Sequence, residues 1–169
     1  MIQQKFPTYK EFANADLSAI YSPEKLKSAL HLQATMMRST VFINDGHGHF
    51  SAQALPSIAQ ASPINAIIPM DVDGDHHIDL VCAGNNWSAE VETVRYDAGT
   101  GLVLVGDGKG TFSAMPITRS GFFAWGNAKD LALLHTGVDR TALIVVANNN
   151  DVLQAFQLNG RAASIPSAP

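Results

Sequence analysis

The chain has 169 residues, 46% of them hydrophobic and 15% charged, a globular composition long enough for one domain with a real core. A formal net charge of −4, with the 11 lysines and arginines scattered along the sequence, argues against a nucleic-acid or anionic-membrane partner, since both need clustered basic residues. A single cysteine excludes an internal disulfide, and no run approaches the ~18 apolar residues of a membrane span.

Met1 to Lys10 is polar and mixed, with no apolar stretch after a basic start, so it does not read as a signal peptide. The residues themselves do not fix a location. Residues 8–38 read as helix. Thr8-Tyr9-Lys10-Glu11 fits a capping box, in which hydroxyl and carboxylate each close a free backbone N–H. Ser22-Pro23 restarts the pattern as N-cap and first helical residue. Leu26, Leu30, Ala34 and Met37 then follow at helical spacing. The expectation is an N-terminal helical segment over 1–38, as two short helices or one broken near Ser22.

From residue 39 short β-branched and aliphatic runs alternate with Gly, Asn and Asp clusters, which predicts a mainly β domain over 39–159. The expected strands are 40–43, 50–55, 66–70, 78–83, 91–96, 102–105, 111–117, 131–134, 142–147 and 152–158. The turns between them carry residues that tolerate positive φ. Cys82, inside Leu80-Val81-Cys82-Ala83, reads as a small buried thiol rather than a reactive one. Residues 160–169 are small and Pro-rich, a frayed tail.

Two internal echoes organise the β region. Asn44-Asp45-Gly46-His47-Gly48-His49-Phe50 matches Gly106-Asp107-Gly108-Lys109-Gly110-Thr111-Phe112 at an offset of 112 − 50 = 62 residues. Asp79–Asn85 matches Leu143–Asn149 at 143 − 79 = 64 residues. Two pairs at nearly one offset imply a repeated unit of about four short strands, the size of a propeller blade. On that basis about two and a half blades are expected, over 40–56, 64–117 and 128–159. So few cannot close a ring. The open edges must be capped by the helices, met by further copies of the chain, or belong to a piece of a larger protein.

The densest chemistry lies in Asp71-Val72-Asp73-Gly74-Asp75-His76-His77-Ile78-Asp79. Carboxylates stand at positions 1, 3, 5 and 9 of this loop. Calcium takes six to eight oxygens at about 2.3–2.6 Å, and side chains at 1, 3 and 5 of a tight loop can converge on one point. The carbonyl of His77 at position 7 is expected to add a ligand, and Asp79 to close the cage. An EF-hand would need flanking helices and a Glu at position 12, where Cys82 stands. The predicted metal ligands are therefore Asp71, Asp73, Asp75, His77 and Asp79, in a loop between strands, holding Ca²⁺.

This pattern, Asp71-x-Asp73-Gly74-Asp75-x-x-x-Asp79-Leu80-Val81, resembles the calcium motif of FG-GAP (VCBS) repeats of integrin α-subunit propellers and many bacterial proteins. Gly106 to Phe112 resembles the hairpin that follows it in such repeats. The wider chain, from Phe6-Pro7-Thr8-Tyr9 through Leu55-Pro56 and Gln60-Ala61-Ser62-Pro63 to Phe112, is similar to the C-terminal part of bacterial cartilage acidic protein/UnbV-like proteins. The resemblance implies seven-bladed propellers, calcium in the blade loops, an extracellular or cell-surface place and adhesive or binding roles. The chain departs from the pattern at His76, where the family usually has Gly. Positive φ there costs a non-Gly residue about 1 kcal/mol. In the third repeat, Asp71, Asp73 and Asp79 map to His135, Gly137 and Leu143, with only Asp75 matched by an acid, Asp139, so no metal is expected there.

His47, His49, His76 and His77 include types that bind transition metals, but lack a second ligand set with zinc-like spacing and read as turn residues. Of Trp87, Phe122, Phe123 and Trp125, most are expected in the packing between blades, with Trp87 the better candidate for a surface contact. No serine sits in a nucleophile elbow, and Gly106-x-Gly108-x-Gly110 leads into a strand rather than a helix. The favoured reading is a calcium-stabilised repeat module that binds a protein or glycan or serves as a scaffold, rather than an enzyme, with a homo-oligomer completing the propeller as one option. The alternatives are a metal-dependent hydrolase using the same acids with His76 and His77, or a truncated repeat fragment kept folded by oligomerisation.

Overall fold

The structure, a computed structural model, describes residues 2–137 and 141–158. It is mainly β, with three antiparallel sheets and a few short helices. Met1–Met37 and Arg38–Pro169 form two compact units. The tail expected over 160–169 lies outside the described residues.

The first unit is a string of short helices, α1 (Ile2–Lys5), α2 (Tyr9–Ala13), α3 (Leu17–Ile20) and α4 (Pro23–Ser28). The capping box is present: the Glu11 N–H donates to Thr8 Oγ1 at 3.3 Å and the Thr8 N–H to the Glu11 carboxylate at 3.1 Å. Asp16 caps α3 by accepting the Ala19 N–H at 2.6 Å, which holds its carboxyl below the usual carboxylate range. Ser22 and Pro23 open α4 as expected. Helix through residue 38 is not found. α4 stops at Ser28, where a ring nitrogen of His31 lies 2.9 Å from the Leu26 carbonyl oxygen. Of the proposed apolar stripe, Leu30 and Met37 are 84% and 85% exposed. A stripe with nothing packed on it cannot hold a short helix together, because isolated helices of this length are marginal in water.

In the second unit, β1 (Thr40–Asn44) and β2 (Phe50–Ala54) form a hairpin. β3 (Ala66–Met70), β4 (Asp79–Ala83), β5 (Leu102–Gly106) and β6 (Phe112–Met115) form a four-stranded sheet in that order. β7 (Ala128–Thr136), β8 (Thr141–Asn148) and β9 (Gln154–Gln157) form the third sheet. Pro69 is tolerated because β3 is the first strand of its sheet and has a partner on one side only.

Two strand expectations are corrected. Residues 91–96 form turns, with a lone bridge from Asn86 to Tyr96, and Val91 is 96% exposed. β4 pairs with β3 and β5, so β4 itself has no free side on which the segment after it could pair. β6 ends at Met115 rather than Ile117, because Pro116 lacks an N–H to continue the ladder and instead precedes α5 (Ile117–Ser120).

The internal repeat is exact in register. Phe42 pairs with Ala52, Ile43 with Ser51 and Asn44 with Phe50. The same pairs 62 residues on are Leu104 with Ala114, Val105 with Ser113 and Gly106 with Phe112. The turns repeat too. Asp45 Oδ1 accepts the N–H groups of His47 and His49 at 2.7 and 3.2 Å, and Asp107 Oδ1 those of Lys109 and Thr111 at 2.8 and 2.9 Å. These backbone N–H bonds hold both carboxyls below their ordinary range. An Asp that ties down its own turn in this way fixes the loop length, and loop length fixes which residues pair.

Side chains alternate across each strand, so the four-stranded sheet has two apolar faces. Leu104 and Cys82 on one face cluster with Leu55, Ala59 and Val41, from β1 and the segment after β2. Ile68, Met70, Val81 and Val103 on the other cluster with Ala128, Ile144 and Val146 of the third sheet. The middle sheet therefore lies between the other two. A buried asparagine ties the middle sheet to the segment that leads into the third: Asn85 Nδ2 lies 2.9 Å from the Gly99 and Gly126 carbonyl oxygens, and its Oδ1 accepts the Gly99 N–H at 2.9 Å. Asn65 Nδ2 in turn donates to the carbonyls of Asn85 and Ala128 at 2.9 and 2.7 Å.

Cys82 is 1% exposed, and burial pushes its thiol up to about 12 from an ordinary 9.0. The neutral thiol thus contributes stability below about pH 9 that is lost as the pH climbs toward 12, because only the unfolded chain ionises readily in that window. A thiol reagent at pH 8 is expected to modify Cys82 only after denaturant is added. Full modification of the native protein within minutes would contradict this burial.

Candidate metal centre

Residues 71–78 connect β3 to β4, whose first residue is Asp79, and Met70 and Asp79 face each other at the mouth of that hairpin. The chain reverses through two left-handed residues, Gly74 at φ 86° and His76 at φ 70°. Positive φ at His76 is what its position in the loop led us to expect. The reversal turns loop N–H groups inward. Asp71 Oδ1 accepts the Gly74 N–H at 2.7 Å and Oδ2 the His76 N–H at 3.0 Å. Asp79 Oδ2 accepts the Val72 N–H at 2.8 Å, and its Oδ1 accepts the Gly106 N–H of β5 at 2.8 Å. Asp79 therefore locks the loop to the neighbouring strand.

The structure brings together three of the four predicted carboxylate ligands. One carboxylate oxygen each of Asp71, Asp73 and Asp79 lie within 4.8 Å of one another. Asp71 and Asp79 are 4% and 0% exposed, while Asp73 stands at the surface. Asp75 does not join this group. Its Oδ1 accepts the His77 N–H at 2.8 Å and its Oδ2 lies 3.1 Å from His77 Nδ1. The His77 backbone N–H is the main cause that holds its carboxyl below the usual range. The His77 ring lies against the next hairpin, where a Cβ on Gly108 would come within 2.5 Å of it.

Among the described residues no lysine or arginine pairs with any of these carboxylates; the imidazoles beside them are His77, with Nδ1 3.1 Å from Asp75 Oδ2, and His76, with Nδ1 3.7 Å from Asp71 Oδ2. The donor set is oxygen only, which suits a hard cation. The N–H bonds do not exhaust it, since each ionised carboxylate offers about four lone-pair directions. The three clustered aspartates thus fit a divalent ion on chemistry and spacing. Asp139, the acid expected in the third repeat, lies outside the described residues.

The histidines at the other turn also have partners: His49 Nδ1 is 3.1 Å from Asp45 Oδ2. The aromatic residues are arranged differently from expectation. Phe122 is core, 4% exposed and edge-on to Phe156 at 4.8 Å. Phe123 and Trp125 are each 49% exposed, so neither is packed away. Trp87, expected at the surface, is half-buried between the Trp125 ring at 6.2 Å and the Arg95 guanidinium at 4.8 Å. The sequence gives no hint of this stack, because it depends on where the 86–98 excursion folds back. No helix among the described residues is long and apolar enough to cross a membrane. Comparison of the chain with protein-family models, with curated proteins and with solved structures finds no match.

Proposed function

We propose that this protein is a calcium-binding β-repeat module of propeller type, acting in binding, adhesion or scaffolding toward a protein or glycan, with the cation in a structural role. The observation that carries this reading is the convergence of Asp71, Asp73 and Asp79 from one loop to within 4.8 Å. Two of those carboxylates are buried, and crowding ionised groups away from water costs energy unless positive charge or donors face them. The N–H groups supply part of that. A calcium ion, which tolerates irregular oxygen cages better than magnesium does, would supply the rest. The repeat half of the reading is supported by the 62-residue identity of register between β1–β2 and β5–β6. The resemblance to FG-GAP repeats supports both halves.

Calcium at about a hundred times its Kd is expected to stabilise the chain by about 2.7 kcal/mol. At about 2–4 °C per kcal/mol for a chain of this size, Tm rises by about 5–10 °C over a chelator control. Asp73→Ala removes a ligand whose one other bond, from the Asp75 N–H, is long at 3.3 Å. It should leave the chelator melting curve nearly unchanged and abolish the rise. Superimposable curves with calcium and with chelator for the unsubstituted chain would overturn the proposal.

A further inference from the structure

The hairpin of β5 and β6 stands between the candidate metal loop and the first sheet. The loop holds it at two points. Asp79 Oδ1 accepts the Gly106 N–H at 2.8 Å, and the His77 ring lies against Gly108, where an added Cβ would come within 2.5 Å of it. Further along, the same turn meets the first sheet. A Cβ on Gly110 would stand 2.5 Å from Ile43 Cδ1, and Gln53 Nε2 donates to Thr111 Oγ1 at 3.3 Å. Phe112, where β6 begins, packs on the cluster that also takes in Val41 and Leu55.

The first sheet needs that support. It has two strands only, and a two-stranded hairpin by itself is marginal in water. Its root is clamped separately: Gln60 Oε1 accepts the Ser39 N–H at 2.7 Å, and Gln60 Nε2 lies 3.0 Å from the Ser39 and Leu55 carbonyl oxygens. Beyond the root, Phe42 and Phe50 are 60% and 62% exposed and add little burial. Ile43 and Gln53 meet Gly110 and Thr111 instead. Residues 42–52 are thus a segment of low local stability, and their order depends on where the β5–β6 turn stands.

We propose that cation binding at Asp71, Asp73 and Asp79 is coupled to the ordering of residues 42–52 through the turn from Gly106 to Thr111. With Asp79 held by an ion, its bond to the Gly106 N–H holds the near end of the turn, and the ordered loop holds His77 under Gly108. Gly110 and Thr111 then stand still for Ile43 and Gln53. The element with two states is the first hairpin, seated or locally open. The coupling is reciprocal: the factor by which the ion favours seating is the factor by which seating favours the ion. The inference rests on the metal half of the proposed function.

Amide hydrogen exchange of the whole chain in calcium and in chelator tests it, read beside titration calorimetry with calcium. Calcium should slow exchange over 42–52 at least about fivefold, the low end of typical coupling between sites. Exchange over the third sheet should change far less. Gly110→Ala puts a methyl on Ile43 at a φ of +91°. It should abolish the slowing over 42–52, keep it over 71–79, and raise the calcium Kd by about the factor lost. Gln53→Ala removes one bond without strain and should reduce the slowing part of the way, which keeps the coupling testable should Gly110→Ala fail to fold in circular dichroism. Calcium binding with slowing confined to 71–79 and the neighbouring strands overturns the coupling and leaves the metal reading standing. Equal slowing over the third sheet does the same, since it would mean stabilisation of the whole unit rather than of one hairpin. Absence of any binding heat for the unsubstituted chain sinks both.

Discussion

Asp79→Ala is expected to destabilise the protein by about 3–5 kcal/mol, because it strands two backbone N–H groups in the interior. The Val72 and Gly106 N–H groups both donate to this carboxylate at 2.8 Å, and Asp79 is 0% exposed. Against the 5–15 kcal/mol that is typical of a folded chain, roughly a fifth or more of the stability disappears, and Tm should fall by about 6–20 °C. Asp79→Asn keeps the shape but turns an NH₂ toward one of the two donors, so it should recover only part of the loss. Asp75→Ala is the control: that side chain is exposed and serves only His77, and its effect on Tm should be several-fold smaller. Thermal melts in chelator separate these outcomes from any metal effect. Equal losses at Asp75 and Asp79 would contradict the placement of Asp79 at the junction.

Gly106→Ala should be nearly as severe, by about 3 kcal/mol, for a different reason. A Cβ at that position would stand 2.2 Å from the Ile78 carbonyl oxygen. The obstacle is backbone, so no rotamer change relieves it, and β5 has to move away from the loop. That movement also breaks the Gly106 N–H bond to Asp79. Gly46→Ala offers the comparison. Nothing lies within 4 Å of its Cβ position, and its strain comes only from a φ of +78°, worth about 1 kcal/mol. Chemical denaturation should rank the two clearly, and a Gly106→Ala midpoint no lower than that of Gly46→Ala would rule out the close approach. The repeat explains why glycine is needed at one hairpin and not the other. Asn44 occupies the equivalent register position, pairing with Phe50 as Gly106 pairs with Phe112.

Most of the local structure is legible in the sequence. Thr8, Glu11, Ser22 and Pro23 act within one helical turn of where they stand, so their capping roles depend on little else. Asp45 and Asp107 fix their turns through N–H groups two and four residues on. The strands fall close to where the runs of β-branched residues placed them, and the spacing of the echoes was already that of the sheets. The readings that failed needed information from far along the chain. Val91 to Tyr96 has strand composition, but β4 was already paired on both sides. Leu26, Leu30, Ala34 and Met37 have helical spacing, but the run from Ala29 on does not form a helix, and Leu30 and Met37 lie in solvent.

The same division runs through the candidate site. The sequence by itself determined that acids at alternate positions crowd the β3–β4 turn, with Gly74 to let the chain reverse, because φ preferences and loop length act over a few residues. Only the tertiary structure decided that Asp79 turns inward with Asp71 while Asp75 goes to His77, since that choice is made by the N–H of Gly106, 27 residues away. It likewise decided that Trp87 is sheltered and Trp125 is not, and that Phe42 is open while its equivalent Leu104 is sealed. Burial is a property of what packs against a face, and a strand's own residues do not carry the identity of its neighbour.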